Sequence, residues 1–394
     1  MKTLSLYLLL FLLLSGCTEP IPQTPDNDMP NMPPEEIIPP EDENINQEDE
    51  LPTPEDEKGL FHEFAEDALV ILNNMSLEEK IGQMFLARCP EDEYLSLYLS
   101  MNPGGFILFG RDFYEKTKEE VIKNINYYQE NSTIPMIIGV DEEGGTVVRV
   151  SSNPNLAPIP FKSPQDLFES GGYEEIKRDV QEKSELLKSL GINLNLSPVA
   201  DVATDPEDFI FERSFGRPAE ETAQYVKIVV EAAKENKISS TLKHFPGYGN
   251  NIDTHTGSAY DKRPYEVFLH SDFIPFKAGI EAGAESILVS HNIVEAIDAE
   301  QPASLSKKVI DILRNDMKFT GIVITDDLSM GAVSETASPE TMAVLAGNDM
   351  LIVSNLEASY NILLSAVSSG DISEDRIDES VLRIIKWKYY LGLI

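Results

Sequence analysis

From about Leu60 onward, short apolar runs alternate with longer segments in which apolar residues recur every three to four positions. The apolar runs are Ile81–Ala87, Gly105–Phe109, Met136–Val140, Ile192–Leu196, Ser239–Leu242, Ser286–Val289, Gly321–Ile324 and Met350–Val353. Runs of this length, bounded by polar and glycine-rich sequence, predict buried strands, and the segments between them predict helices. The alternation therefore predicts an α/β fold built on a parallel sheet.

Several of the intervening segments carry signals for the ends of helices. Ser76–Glu79 and Thr117–Glu120 have the spacing of capping boxes. Pro218 and Pro339 stand where a proline in the first helical turn belongs. The segments with the clearest helical spacing are Ala219–Asn236, Glu266–Ala282 and Ser373–Tyr390.

Strands and helices that alternate over about 330 residues predict a TIM-like (β/α)8 barrel, and an open doubly wound sheet is the alternative. The barrel is favoured because nearly every apolar run is followed at once by polar or glycine-rich sequence. Such sequence is expected of the functional loops at the carboxyl ends of barrel strands. Because the chain ends soon after the last predicted helix, we predict a single catalytic barrel domain over residues 59–394.

The N-terminal part of the chain has a different composition. The apolar run Leu4–Leu14 is too short to span a bilayer comfortably and predicts a signal peptide over residues 1–16. Leu14–Cys17 resembles the lipobox of bacterial lipoproteins, which implies that Cys17 is lipidated and anchors the protein to the bacterial membrane, outside the cytoplasm. An ordinary secretory signal is the alternative. Residues 17–58, rich in proline and acidic residues, predict a disordered tether.

Charge and cysteine content narrow the partners that the chain can have. The sequence has 68 acidic residues against 31 lysines and arginines, a formal net charge of −37. Nucleic-acid binding is therefore not expected, because it depends on basic side chains that meet phosphate. The cysteine that remains besides Cys17 is Cys89, so we expect no disulfide in the mature chain and a small buried side chain at Cys89. We expect a monomer.

Two polar segments at the ends of predicted strands carry the candidate chemistry. Lys243–Gly249, followed by Asp253–His255, places two of the five histidines close together. Thr325–Met330 places Asp326 and Asp327 directly after an apolar run. A carboxylate and a histidine brought together at one face of a barrel can act as a nucleophile and a proton shuttle.

These segments resemble the motifs of glycoside hydrolase family 3, in its β-N-acetylglucosaminidase branch. Lys243–Gly249 is similar to the family's KHFPGHG, with Tyr248 where that motif most often has histidine. Asp141–Arg149, Arg213–Gly216 and Thr325–Met330 are similar to three further motifs of the family, in the same order along the chain. The resemblance implies a retaining, exo-acting hydrolase that removes non-reducing terminal GlcNAc from cell-wall muropeptide fragments.

The resemblance also implies roles for individual residues. Asp326 is implied to be the nucleophile, which forms a covalent glycosyl-enzyme. His255 is implied to be the acid/base, with Asp253 orienting its ring. The residues implied to hold the hydroxyls of the sugar are Asp141, Arg149, Arg213, Lys243 and His244.

Other interpretations remain open. Arg149 and Arg213 could instead be structural ion-pair partners, and Asp201, His291 and Asn292 follow predicted strands in positions that suit supporting roles equally well. No metal or other cofactor is expected, because the chain has no HExxH motif and no HxH after its first predicted strand. A phosphorylase that uses the same covalent intermediate and a non-catalytic sugar-binding surface lipoprotein are the alternative functions.

Overall fold

Eight parallel strands, one for each predicted apolar run, form the centre of the described structure. This is a computed structural model that describes residues 59–249, 259–334 and 336–394. The strands are β1 Phe85–Arg88, β2 Gly105–Leu108, β3 Ile137–Val140, β4 Leu194–Asn195, β5 Ser239–Phe245, β6 Ser286–Val289, β7 Ile322–Thr325 and β8 Leu351–Val353. The predicted signal peptide, Cys17 and the tether at residues 17–58 lie outside the described residues, as do Asp253 and His255.

The strands close into a barrel, as predicted. Their order is β8-β1-β2-β3-β4-β5-β6-β7, and a parallel bridge between Ile324 and Met350 joins the last strand to the first. The Thr325 N–H also donates to the Met350 carbonyl at 3.1 Å. Since all the strands run in the same direction, their carboxyl ends gather the polar residues that follow each apolar run at one face of the barrel.

Helices surround the barrel. Those in the described residues are α1 Ala65–Leu72, α2 Leu77–Gln83, α3 Asp92–Ser100, α4 Gly110–Phe113, α5 Lys118–Glu130, α6 Pro164–Leu190, α7 Ala219–Glu235, α8 Tyr265–Val267, α9 Phe273–Ala282, α10 Lys307–Asp311, α11 Pro339–Ala346, α12 Leu356–Ser369 and α13 Glu374–Tyr390. None of these helices is long and apolar enough to cross a bilayer.

The predicted helix ends are largely confirmed. Ser76 and Thr117 form the two capping boxes, each with the glutamate three residues later. Pro339 is the first residue of α11, whereas Pro218 is the N-cap of α7, one position earlier than predicted. Ser373 caps α13, where its hydroxyl accepts from the Arg376 N–H. Local capping chemistry thus sets these boundaries, as expected from side chains that satisfy free N–H groups.

The segment Glu266–Ala282 is helical, as its spacing predicts, but the helix contains a π turn. A short helix α8 leads into a π turn at Phe268–Asp272, and α9 begins only at Phe273. Pro275 lies near the start of α9 and has no N–H to continue the ladder of hydrogen bonds. The wider π turn accommodates that loss, because proline and π turns are common sites of helix irregularity.

Two smaller features complete the fold. Tyr260–Asp261 pairs in parallel with Ile293–Val294, and this two-stranded sheet was not predicted.

Cys89 is buried at the end of β1, as expected, and burial raises the pKa of its thiol to about 12. A thiol with so high a pKa is unreactive at neutral pH.

Candidate active site

Lys243, near the end of β5, is the centre of a buried ion-pair network at the carboxyl face. Its Nζ lies 2.7 Å from Asp141 Oδ1 and 2.6 Å from Glu143 Oε1. Burial alone would lower the pKa of Lys243, but the two carboxylates raise it above its ordinary value. The network thus holds a permanent cation at the barrel mouth and joins β5 to the loop after β3.

Arg213 extends the network from the segment between β4 and α7. Its Nε and Nη2 atoms donate to the two oxygens of Glu143 at 3.0 and 2.8 Å, a bidentate pair. Burial would raise the pKa of Glu143, but Lys243 and Arg213 outweigh it and hold that pKa well below its usual range. Glu143 is therefore a fixed anion that positions two cations, Lys243 and Arg213.

His244 is oriented by Asp201. Asp201 Oδ2 accepts from the His244 backbone N–H at 3.0 Å and lies 2.7 Å from Nδ1 of the ring. On the other side of the ring, Nε2 lies 3.2 Å from Arg213 Nη2, which can only donate. Asp201 thus fixes the orientation of the ring, with Nδ1 as the atom that donates to it. Asp201 supports His244 and is fully buried, which suits a supporting role.

Asp326 follows β7 directly and faces the same cluster. Its N–H donates to the Val289 carbonyl at 2.9 Å, and its Oδ1 accepts from the Asp327 N–H at 2.9 Å. Burial alone would raise the pKa of Asp326, but His291, His244 and the Asp327 N–H hold it below its ordinary value. Asp326 is therefore an ionised carboxylate at neutral pH, in a site lined by cationic and polar groups.

The loop that carries Arg149 is shaped by a buried carboxylate. Glu142 accepts from the backbone N–H groups of Arg149 and Val150 at 2.8 and 2.6 Å, and from the Ser151 hydroxyl. Gly144 turns the loop with φ of +105°, and a Cβ there would lie 2.1 Å from the Lys162 carbonyl oxygen. The sequence after Asp141 thus folds back on itself because of its acidic residues and glycines.

Arg149 does not join the network around Lys243. Its guanidinium carbon lies 5.7 Å from the centre of the Phe109 ring, and its Nε is buried with no hydrogen-bond partner among the described residues. The structure therefore brings together Asp141, Arg213, Lys243, His244 and Asp326, with Arg149 on the side of β2.

The remaining candidates lie next to Asp326. His291 is buried between the Ser304 hydroxyl, 2.7 Å from Nδ1, and the Asp327 carbonyl, 3.0 Å from Nε2. Asn292 is fully buried, and its amide finds no hydrogen-bond partner in the part of the chain that the structure describes. Asp327 accepts from the Ser354 hydroxyl at 2.8 Å and from the Ser329 N–H at 2.9 Å, so it is a hydrogen-bonding residue of the turn.

Glu143 is the residue that sequence reasoning did not select. It makes the shortest contact of Lys243 and the bidentate pair with Arg213, and from the sequence it was recognised only as part of the motif Asp141–Arg149. Its signal was its position two residues after Asp141, on the same loop. Tyr248, the departure from the motif, is buried edge-on against His244 with ring centres 5.4 Å apart. An aromatic side chain thus packs well at that position.

A (β/α)8 barrel with an ionised aspartate beside buried lysine, arginine and histidine at its carboxyl face is the architecture of a barrel enzyme that acts on a polar substrate. Residues 76–387 match the Glycosyl hydrolase family 3 N terminal domain. The chain therefore belongs to glycosyl hydrolase family 3, a family of glycoside hydrolases, and the expected family and enzyme class are confirmed.

Individual relatives agree with this assignment. A beta-hexosaminidase of Xanthomonas campestris pv. campestris (strain B100) is 32% identical over 231 residues, which are 58% of this chain and 69% of the relative. A beta-N-acetylglucosaminidase/beta-glucosidase of Cellulomonas fimi is 27% identical over 343 residues, 82% of this chain and 59% of that protein. A family 3 beta-N-acetylglucosaminidase structure from Paenibacillus sp. str. FPU-7 has a TM-score of 0.75 and 29% identity, and covers 81% of this chain and 63% of that chain. The chain thus spans less than two thirds of the last two proteins.

Proposed function

We propose that the chain is an exo-acting, retaining β-N-acetylglucosaminidase in which Asp326 is the nucleophile. The observation that carries the proposal is the ionised Asp326 carboxylate at the end of β7, facing the buried network around Lys243. A nucleophilic carboxylate must be ionised and must lie beside a bound sugar. Asp326 attacks the anomeric carbon, the aglycone departs with a proton, and water then releases the sugar from the glycosyl-aspartate.

The network around Lys243 supports the binding of one terminal sugar. Asp141, Arg213, Lys243 and His244 present acceptors and donors whose positions are set by their bonds to one another. Groups held in place beforehand bind hydroxyls without first having to reorganise. The names of the Xanthomonas, Cellulomonas and Paenibacillus relatives support GlcNAc as that sugar.

Proton transfer is assigned to His255, with Asp253 as its partner, on the family resemblance alone, since both lie outside the described residues. A histidine suits two successive proton transfers in opposite directions because its pKa lies near neutrality.

We also propose that the substrates are peptidoglycan-derived muropeptides. The enzyme would act as a monomer outside the cytoplasm, anchored through Cys17 and the acidic tether at residues 17–58. A Cys17→Ser variant that remains in the membrane fraction would contradict this anchoring.

The nucleophile is tested with Asp326→Asn and its neighbour Asp327→Asn as a matched control. The first variant lowers kcat/KM for an aryl β-GlcNAc by about 10³-fold or more, because the covalent step is lost. The control removes the same charge one residue away and causes a much smaller loss. Equal losses in the two variants would show that Asp326 has no special role.

A product assay distinguishes hydrolysis from the two alternative functions, a phosphorylase and a non-catalytic sugar-binding protein. Inorganic phosphate is added to a GlcNAc–MurNAc disaccharide, and the products are identified by mass spectrometry. Free GlcNAc at all phosphate concentrations supports hydrolysis. GlcNAc-1-phosphate would identify a phosphorylase, and binding of the disaccharide without turnover would identify a non-catalytic sugar-binding protein. An aryl β-glucoside turned over as fast as the aryl β-GlcNAc would contradict the specificity for the acetamido sugar.

A further inference from the structure

His291, two residues after β6, uses both nitrogens of its ring in hydrogen bonds to other parts of the barrel mouth. Its Nε2 lies 3.0 Å from the Asp327 carbonyl oxygen, and its Nδ1 lies 2.7 Å from the Ser304 hydroxyl. A carbonyl oxygen can only accept, so Nε2 is the donor in the first of these bonds. The side chain is fully buried, and the two bonds together fix the orientation of the ring.

The carbonyl that accepts from His291 belongs to the turn that places Asp326. On one side of this turn, the Asp326 N–H donates at 2.9 Å to the carbonyl of the last residue of β6. On the other side, the Leu328 N–H donates at 3.0 Å to the Ile352 carbonyl, in β8. The peptide group between Asp327 and Leu328 is therefore held through its N–H by the backbone of β8 and through its C=O by the His291 ring.

Ser304, which fixes the other side of the ring, is itself held in place by the fold. Its N–H donates to the Ser290 carbonyl at 3.0 Å, and its carbonyl accepts from the Asn348 amide at 2.8 Å. Ser304 and Asn348 are both fully buried. A buried donor or acceptor that loses its partner is costly, so the ring cannot turn towards a ligand without a large penalty. The position of the His291 ring is thus set by the barrel and not by a substrate.

His291 also lies close enough to Asp326 to influence its charge. Burial would raise the pKa of the Asp326 carboxyl, but that pKa is held below its ordinary value. Among the groups that oppose burial His291 comes first, followed by His244, the Asp327 N–H and Lys243. The place of the carboxylate and its ionisation therefore depend on the same ring.

We propose that His291 is a positioning residue for the nucleophile, whose turn it holds through the Asp327 carbonyl, and that it takes no part in binding the sugar. The proposal rests on the proposed function and adds to it a role for a residue whose part the sequence left open. A carboxylate that attacks an anomeric carbon must keep its place to within a fraction of an ångström. Because Asp326 directly precedes Asp327, a displaced turn moves the attacking oxygen out of line.

The proposal is tested with His291→Leu, which removes the donor to the turn. Per folded molecule, kcat and kcat/KM for an aryl β-GlcNAc both fall by about 10- to 100-fold, because the nucleophile is misplaced. The Ki for free GlcNAc changes by less than about threefold, because the groups that bind the sugar stay in place. His291→Gln keeps an N–H near the position of Nε2 and restores much of the rate. His270→Leu, which replaces an exposed histidine on the π turn, is the control and leaves the rates and the Ki unchanged.

Two kinetic outcomes would overturn the proposal. A Ki for GlcNAc that rises in parallel with the loss of rate would show that His291 binds the sugar. Full activity per folded molecule in His291→Leu would show that the turn keeps its place without the ring. The wild-type protein gives a further readout that needs no variant to fold. The ¹⁵N chemical shifts of the His291 ring show a protonated Nε2, and a ring protonated on Nδ1 alone would contradict the bond to Asp327.

Failure of the proposed function gives a different result. If the wild type cleaves no aryl β-GlcNAc, the proposed function is wrong, and the titration of the Asp326 carboxyl, followed by its ¹³C shift, decides whether His291 controls that group. In His291→Leu the pKa of Asp326 rises, because Lys243 and His244 alone then oppose its burial. The same titration in both proteins refutes the control by His291. If the wild type is active and His291→Leu equally so, this proposal alone fails.

Discussion

Two buried lysines lie at opposite ends of the barrel, in opposite electrostatic surroundings. Lys243, at the carboxyl end of β5, contacts two carboxylates at 2.7 and 2.6 Å. Lys388, on α13, donates at 2.6 Å to Oε1 of Gln83, a residue that lies just before β1. Among the described residues, Lys388 has no carboxylate partner. Burial is nearly the same, with exposed fractions of 2% and 0%. The pKa of Lys243 is raised, whereas burial lowers the pKa of Lys388 to about 7.

The difference shows that burial alone does not determine the charge of a lysine. At the mouth, two carboxylates maintain a cation in the candidate active site, even though such an ion pair is costly to desolvate. At the base, an amide oxygen satisfies the amine without stabilising its charge, and at neutral pH a large fraction of Lys388 is uncharged. Under the proposed function, the charged lysine lies at the end of the barrel that binds the sugar, and the partly neutral lysine lies at the opposite end.

The comparison is tested most strongly by Lys243→Met. The substitution removes the lysine that pairs with Asp141, and it leaves Glu143 with Arg213 as its remaining ion-pair partner among the described residues. We expect the free energy of unfolding to fall by about 3–5 kcal/mol. We expect kcat/KM for an aryl β-GlcNAc to fall by about 100-fold or more. Denaturant unfolding and steady-state kinetics measure the two effects. The exposed Lys227→Met is the control and shifts stability by less than about 0.5 kcal/mol.

Asp201→Asn tests whether the orientation of the His244 ring matters for activity as much as the charge of Lys243 does. Losing the carboxylate that accepts from His244 Nδ1–H removes the preference for one tautomer, so we expect kcat/KM to fall by about 10- to 100-fold. The ¹⁵N chemical shifts of the His244 ring report the tautomer directly. The control is Asp311→Asn on the surface. A large loss of activity with unchanged ring shifts would mean that Asp201 acts by another route.

Lys388→Met tests the base of the barrel and should have the opposite sign from Lys243→Met. The methionine fills a similar volume with no amine to desolvate, but it leaves Gln83 Oε1 without its donor. We expect the free energy of unfolding at pH 7 to rise by about 1 kcal/mol or more. The activity per folded molecule stays the same. A destabilised Lys388→Met would show that the lysine stabilises the base after all.

The smallest expected effect is a dependence of stability on pH. The pKa of Lys388 is about 7 in the folded state, against about 10.4 in the unfolded chain. Above pH 7 the unfolded state therefore binds more protons, and stability rises with pH by about 1–2 kcal/mol between pH 7 and 8.5. Above pH 8.5 the Cys89 thiol acts in the opposite direction, since its pKa is raised on folding.

Lys243 gives no such slope in this window. Its pKa is raised, so its contribution is fully present below the unfolded value of about 10.4 and is lost only at higher pH. Urea unfolding of the wild type and Lys388→Met at pH 7.0, 7.75 and 8.5 provides the measurement. The slope should disappear in the variant. The same slope in both proteins would assign it to another group.

The parts of the fold that follow from local pattern were predictable. The strands coincide with apolar runs to within a few residues, and the capping boxes at Ser76 and Thr117 begin helices as expected. Two features were not predicted, and the second of them has a non-local cause. The π turn at Phe268–Asp272 depends on Pro275, and the pairing of Tyr260–Asp261 with Ile293–Val294 joins segments that are distant in sequence. Periodicity contains no information on such pairing.

Candidate site residues were recognisable as polar residues after strands, but their partners were not. Nothing in the spacing of Asp141, Arg213 and Lys243 indicates that Glu143 joins them, or that Arg149 lies apart on Phe109. These arrangements depend on distances between different strands and loops.

The sequence by itself determined the alternation of strands and helices, the helix caps and the set of polar residues at one face of the barrel. These follow from local burial and local hydrogen bonding, which a chain expresses over a few residues. Only the tertiary structure decided which charges meet. Lys243 and Lys388 are both lysines beside apolar residues in sequence, yet one is held as a cation and the other loses much of its charge. The reason is that the electrostatic energy of a buried group depends on neighbours that only the closed barrel brings into contact.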